Sequence, residues 1–296
     1  MRTGLCLRGG CDMRRAFIPL LVIVLAIGHC IQASNADALI AAANQLYDRW
    51  SGAFDYAAYQ DDLESAIELY EQALDALADD DMDARSTVLV RLSRACFELG
   101  EGYLTDSKEV EAIHRLGRDY ALAALRIDPD FVSTEQGSFR AALSSAKDVG
   151  AIFWYGNTLG RFLEFHRVTA IMGGVRDIQA CFERAVELDP TYMDGGPLRS
   201  LASFYAQVPG FLGGDMDQAE TLFQEAMAVS PTFLESPVNW AEFVLKPRQD
   251  WSTFCATLSA VVTRAEDSAT MASWPLYSAR ALERALFLLD DGPCER

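Results

Sequence analysis

One short helix ending recurs four times in this chain, and that recurrence restricts the folds open to it. An alanine stands at Ala73, Ala124, Ala185 and Ala226, each three residues after an aromatic or small residue. Five residues beyond it comes Ala78 in the first copy and Pro129, Pro190 and Pro231 in the others. Residues three, four and seven apart share one face of an α-helix. Ala66, Tyr70 and Ala73 make such a stripe, as do Ile178, Phe182 and Ala185, and Ala219, Phe223 and Ala226. Small residues let a neighbouring helix approach closely, and the aromatic fills the gap beside them. Proline cannot continue a helical hydrogen-bond ladder, so it marks where the next element begins.

A short amphipathic helix pair cannot bury its apolar face alone, so such copies must stack. The pattern is that of the second helix of a tetratricopeptide repeat. Its first helix is matched before the fourth copy by Leu198, Leu201, Ala202 and Tyr205. Successive anchor alanines are 51, 61 and 41 residues apart, against about 34 in a regular array. Loops or helices are therefore inserted, and the expected stack is irregular.

The spacing predicts helices over 37–50, 61–78, 84–104, 108–127, 137–146, 149–169, 175–188, 197–207, 216–229, 237–246, 248–265 and 275–290. Asp61 with Glu64 and Asp215 with Gln218 have capping-box spacing, and Ser236-Pro237 offers a cap followed by proline at the first helical position. No segment alternates with period two for long enough to suggest a sheet. The expected fold is all-α. Near the C-terminus Leu282, Ala285, Leu286 and Leu289 form a stripe that would cap the stack or contact another subunit.

Arg14-Arg15 followed by the uncharged stretch Ala16–Ile31 reads as an export signal, too short for a comfortable membrane span. Ser34 and Ala36 occupy the small-residue positions of a cleavage site after Ala36, giving a leader over 1–36 and a single repeat domain over 37–296. A lipid anchor at Cys30 fits less well, because His29 stands where a small residue is expected. Removing the leader takes away four arginines and one aspartate, which moves the formal charge from −18 to −21. Such a surface repels nucleic acid and anionic headgroups and also serves solubility.

Asp79-Asp80-Asp81 reads as a solvated turn, since the alternating ligands and bidentate carboxylate of a calcium loop are missing. Cys96, Cys181 and Cys255 lie in helical patterns and read as small buried hydrophobes. One pair could bridge after export, but spacing cannot say which, and the state of Cys294 is equally open. No Cys-x-x-Cys occurs, and after signal removal only His114 and His166 remain, neither with a nucleophile or second ligand at recognisable spacing. The sequence gives no catalytic constellation, no metal site and no cofactor motif.

The densest aromatic run is Phe153-Trp154-Tyr155, with Gly156 and Gly160 following on one face. Consecutive aromatics point in different directions on a helix, so at least one must face a second helix or a cavity. The segments Phe153–Arg161, Phe182–Tyr192, Gly195-Gly196-Pro197, Leu201–Tyr205, Pro209–Asp215 and Ser230–Glu235 resemble the T component of tripartite ATP-independent periplasmic (TRAP) transporters, the TatT family. That resemblance spans roughly 45–250. It implies a periplasmic, non-enzymatic helical protein with degenerate repeats around a central pore or cavity. It also implies association with a TRAP substrate-binding protein, a homotrimer as one form of assembly, and transfer of a small hydrophobic or organic-acid ligand. A concave surface mixing aromatic and polar groups suits such a ligand. Trp154, Tyr155, Asn157, Arg161, Tyr192, Arg199, Tyr205, Asn239 and Trp240 are the candidate ligand-binding residues, each with a competing structural reading in the core, in a salt bridge or in a local hydrogen bond. The competing function is a general tetratricopeptide adaptor in the cell envelope.

Overall fold

The computed structural model describes residues 35–51 and 54–294, and they are all-α. The expected leader up to Ser34, with Cys30, lies outside the described residues, while Ala36 falls within the first helix, α1, over 35–47. Then follow α2 (Tyr56–Ala76), α3 (Met82–Gly102), α4 (Ser107–Leu125), the short pair α5 (Pro129–Glu135) and α6 (Phe139–Ser145), and α7 (Val149–Glu164). The second half comprises α8 (Val175–Leu188), α9 (Tyr192–Gln207), α10 (Met216–Val229), α11 (Glu235–Trp240), α12 (Trp251–Arg264), α13 (Ser268–Ser273) and α14 (Pro275–Asp291).

Consecutive long helices pack on one another: α2 on α3, α3 on α4, α4 on α7, α7 on α8, α8 on α9 and α9 on α10. The anchor stripes explain why. Ala66, Tyr70, Ala73, Ala185, Ala219, Phe223 and Ala226 are all buried, together with Leu198, Leu201 and Ala202 on the preceding helix face. Each buried Phe or Leu contributes on the order of 1.5–3 kcal/mol through apolar burial. At Gly156 a side chain would begin 2.8 Å from the Phe182 ring and 3.0 Å from Cys181, so the absence of one sets how closely α7 and α8 approach.

Several local features differ from the sequence reading for identifiable reasons. Asp55, not Asp61, caps α2 by accepting from the amides of Ala57 and Ala58, so the helix starts one and a half turns early. Asp215 caps α10 as expected, through the amides of Asp217 and Gln218. Ser236 is no cap: it is buried inside α11, its hydroxyl facing Arg199. Pro129 opens α5, capped by Asp128, a short helix absent from the expected set, because proline suits the first helical turn. The Asp79–Asp81 turn is exposed, and Asp81 caps α3. The 167–174 segment breaks away from α7, and 241–248 continues α11 through a π-turn.

Cysteine pairing is also decided. Cys255 and Cys294 form a disulfide that ties α12 to the end of α14, which corrects the reading of Cys255 as a free buried residue. Cys96 and Cys181 are free and buried. On α14 the buried face is Tyr277, Ala281, Ala285 and Leu288, while Leu286 is exposed, so the stripe lies about one residue away from that expected.

The first and last of the described helices meet. Tyr47 on α1 and Tyr277 on α14 donate to the two carboxylate oxygens of Glu98 on α3, at 2.7 and 2.8 Å. Arg94, one turn back, donates to the same carboxylate at 2.8 Å. The guanidinium of Arg94 also lies over the rings of Tyr47, Trp154 and Trp274. Next to it, Tyr56 donates to the Gly102 carbonyl at 2.6 Å. α14 is thereby held across α3, which brings the last helix beside the first ones and leaves a hollow between them and α7, α9 and α11.

Candidate functional site

That hollow is a cavity of about 660 Å³, the size expected of a small-molecule site. Its apolar wall includes Phe97, Phe153, Trp154, Phe182, Phe204 and Phe243. Its charged wall joins Glu101, Arg161, Glu242, Arg280 and Arg284. Most of these charges are compensated by neighbours: Arg161 donates to Glu101 at 2.6 Å and to Glu164 at 2.6 Å, Arg280 stands 3.5 Å from Glu101, and Arg284 pairs with Glu242, while Glu283, also on the lining, forms no ion pair with a described residue.

The nine candidate residues divide by position. Trp154, Asn157, Arg161, Arg199 and Asn239 line the cavity. Trp154 belongs to the lining although only 1% exposed, and its Nε1 donates to the Tyr192 hydroxyl at 3.1 Å. Asn157 donates to the Phe153 carbonyl at 2.8 Å and accepts from Ser200 at 3.1 Å, which fixes its amide. Asn239, by contrast, makes no hydrogen bond to a described residue and leaves its amide available at the wall.

Arg199 is buried and busy. It pairs with Glu235 at 3.2 Å, lies over the Phe233 ring at 4.1 Å, and donates to the Asp194 carbonyl at 3.2 Å. Met193, Asp194 and Gly195 all have positive φ there (51°, 52° and 81°), and Arg199 holds that left-handed turn by its carbonyls. Burial lowers its pKa, opposed chiefly by the charge of Glu235.

The other four stand outside the lining. Tyr192 backs the wall through Trp154. Tyr155 turns to the opposite side of α7, its ring 5.1 Å from that of Phe139. Tyr205 reaches Glu183, 3.2 Å away. Trp240 packs between the two buried clusters of the protein, with its Nε1 enclosed and lacking a hydrogen-bond partner among the described residues.

The residue that organises the charged wall, Glu101, was not among the candidates. It gathers Arg161, Arg280 and, at 3.2 Å, the Nε2 of fully buried His114. Burial pushes its carboxyl upward, but the His114 ring at 3.2 Å and the charges of Arg161 and Arg280 prevail and hold it at about 2. A carboxylate with a folded value below its ordinary 4.5 favours the folded state above that ordinary value and loses this contribution as pH falls towards 2. The acid limb of the stability curve should therefore be shallower for Glu101→Gln than for wild type between about pH 4.5 and 2. The difference should be on the order of 2–3 kcal/mol, read by urea unfolding at stepped pH.

The lining offers aromatic surface, hydroxyls of Ser200 and Ser203, one free amide and neutralised charge pairs, an arrangement suited to holding an amphipathic small molecule. Among the described residues no group of three or more His, Cys, Asp or Glu is placed to hold a metal ion, and no helix is long and apolar enough to cross a membrane.

Comparison with known proteins bears on the same helices. A family described as TRAP transporter T-component matches residues 106–292, which contain α4 through α14. An uncharacterized protein of Treponema pallidum (strain Nichols) is 31% identical over 116 residues, covering 36% of this chain and 36% of that protein. The match thus spans about a third of that relative's length.

Proposed function

The chain belongs to the TRAP transporter T-component family, and we propose for it an accessory role in TRAP transport with the following specific part in it. The exported protein binds a TRAP substrate-binding protein and holds a small amphipathic ligand in the cavity between α3, α7, α9, α11 and α14, as a non-enzymatic component. Its helix pairs act as an irregular tetratricopeptide-like array forming one domain after removal of the leader, and a homotrimer is one assembly in which such a protein could work. The observation that carries this reading is the cavity itself: a volume of about 660 Å³, one aromatic wall and one wall of largely compensated charge. A ligand with an apolar body and a polar end can enter it without leaving a buried charge unpaired. The disulfide between Cys255 and Cys294 supports export, since such bonds persist in oxidising compartments.

The test is capture of partners by the mature protein from periplasmic extract of its own cells, with mass-spectrometric identification. A TRAP-type substrate-binding protein is the expected partner. Recovery of envelope assembly proteins alone would replace this reading with the general adaptor.

A further inference from the structure

Four arginines and five glutamates line the cavity, and most of them are committed to one another. Arg161 serves Glu101 and Glu164, Arg199 serves Glu235, and Arg284 holds Glu242 through two nitrogens while lying over the Phe287 ring at 4.8 Å. Two charges retain capacity, and both stand on α14. Arg280 makes a single long contact, 3.5 Å from its Nη2 to Glu101, a carboxylate already taken by Arg161 at 2.6 Å. Its side chain is only 21% exposed, and its Nε and Nη1 have no partner among the described residues. Glu283 forms no ion pair or hydrogen bond with a described residue.

The two charges face one place without pairing. Residues three apart lie on one helix face with Cβ atoms about 5–6 Å from each other. Both act on the Tyr56 hydroxyl: burial raises its pKa, the charge of Arg280 opposes this, and the charge of Glu283 adds to it. Tyr56 lines the cavity too, its hydroxyl held by the Gly102 carbonyl at 2.6 Å. Apolar surface adjoins the pair, for Phe97 stands one turn before Glu101 on α3, Phe287 one turn after Glu283, and Phe243 on the same lining. A cation beside an uncompensated carboxylate discriminates between ligands. A carboxylate alone is repelled by Glu283 and an ammonium alone by Arg280, whereas a head that carries both meets its complement twice.

We propose that the cavity takes a zwitterionic ligand of the amino-acid type, its carboxylate accepting from Arg280, its ammonium donating to Glu283 and its apolar body lying toward Phe97 and Phe243. This rests on the cavity being a ligand site and adds the class of ligand. The single carbon between the two groups of an α-amino acid suits charges that stand one helical turn apart. Hydrogen bonds between charged groups are about twice as strong as neutral ones, and a head neutral overall adds no net charge to the lining.

The experiment titrates L-tryptophan, indole-3-propionate and tryptamine into the mature chain by calorimetry at neutral pH. The three share one body and carry both charges, the carboxylate alone or the ammonium alone. Wild type should bind L-tryptophan at least tenfold more tightly than either of the others. Arg280→Gln should bind L-tryptophan no better than tryptamine, and Glu283→Gln no better than indole-3-propionate. Unchanged circular dichroism and melting are expected, since Glu101 keeps Arg161 in the first variant and Glu283 is exposed. Equal binding of the three probes by wild type, or a preference for L-tryptophan that survives in both variants, would overturn the ligand class and leave the cavity standing as a site. Undiminished binding of L-tryptophan by Gly160→Phe, which fills the cavity, would overturn the cavity reading as well. If wild type binds none of the three, the inference fails, and the cavity reading is decided separately by whether a molecule that co-purifies with wild type is absent from Gly160→Phe.

Discussion

Replacing Glu98 by alanine is expected to destabilise the protein by about 3–5 kcal/mol, because it breaks a buried ion pair from one side. The carboxylate accepts from Tyr47, Tyr277 and Arg94, which belong to α1, α14 and α3. Its loss removes the acceptor shared by two buried hydroxyls and the guanidinium, and a lost buried hydrogen bond that leaves its donor unsatisfied costs about 1–3 kcal/mol. The damage is not confined to stability. Since Glu98 is where the last helix is fastened to the early ones, α14 should become a preferred site of limited proteolysis in Glu98→Ala before the rest of the chain is cut. Glu98→Gln keeps one acceptor and should recover part of the loss. Denaturant unfolding and time-resolved proteolysis read the two effects separately.

Trp154→Ala should cost a comparable amount, about 3–5 kcal/mol, as expected for deleting a buried aromatic. The ring packs at 5.5 Å from Phe97 and 4.9 Å from Phe153, and its Nε1 satisfies the Tyr192 hydroxyl. The residue thus serves the core and the cavity wall together, and alanine there would enlarge the cavity as it weakens the fold. Trp154→Phe retains most of the packing and gives up the hydrogen bond, for a loss of about 1 kcal/mol. Urea unfolding of the pair distinguishes packing from polar contribution. Ligand measurements on Trp154→Ala are interpretable only at temperatures where it remains folded.

Much of the helical framework was legible because it rests on local spacing. Ala219, Phe223 and Ala226 are buried together for the reason their period announces, and Asp215 caps the helix it precedes. The neighbourhood of Trp154, Asn157 and Arg161 was legible as well, since three aromatics in succession cannot share one seam and one side had to meet something other than the next helix. Asn239 lies at the cavity wall, whereas Tyr155, one residue and a 100° step after Trp154, packs on Phe139 and not on the cavity.

What spacing could not reveal is whatever depends on the early helices meeting the last one. Arg280 and Glu101 are separated by 179 residues, as are Tyr277 and Glu98. No periodicity connects them, and an acidic residue on an amphipathic helix reads as a solvated face until the facing helix is known. Glu101 was invisible for that reason, although it is the residue around which the charged wall is built. The Cys255–Cys294 bond was hidden similarly, because pairing is a matter of where α12 and the end of α14 lie. The left-handed turn at Met193–Gly195 likewise depends on a distant support, Arg199 donating to its carbonyls.

The central claim is that the cavity holds a small ligand, and Gly160 provides the most direct test of it. Gly160 lines the cavity, and a side chain begun there would meet only Ile178, at 3.9 Å. Gly160→Phe should therefore fill the space without straining the fold, and loss of a helix-interior glycine favours the helix by up to about 1 kcal/mol. Native mass spectrometry of the mature protein purified from its own cells, followed by extraction and identification of the bound molecule, is the measurement. The account predicts one amphipathic small molecule per wild-type chain and none in Gly160→Phe at an undiminished melting temperature. The same molecule bound at equal stoichiometry in both proteins would contradict it.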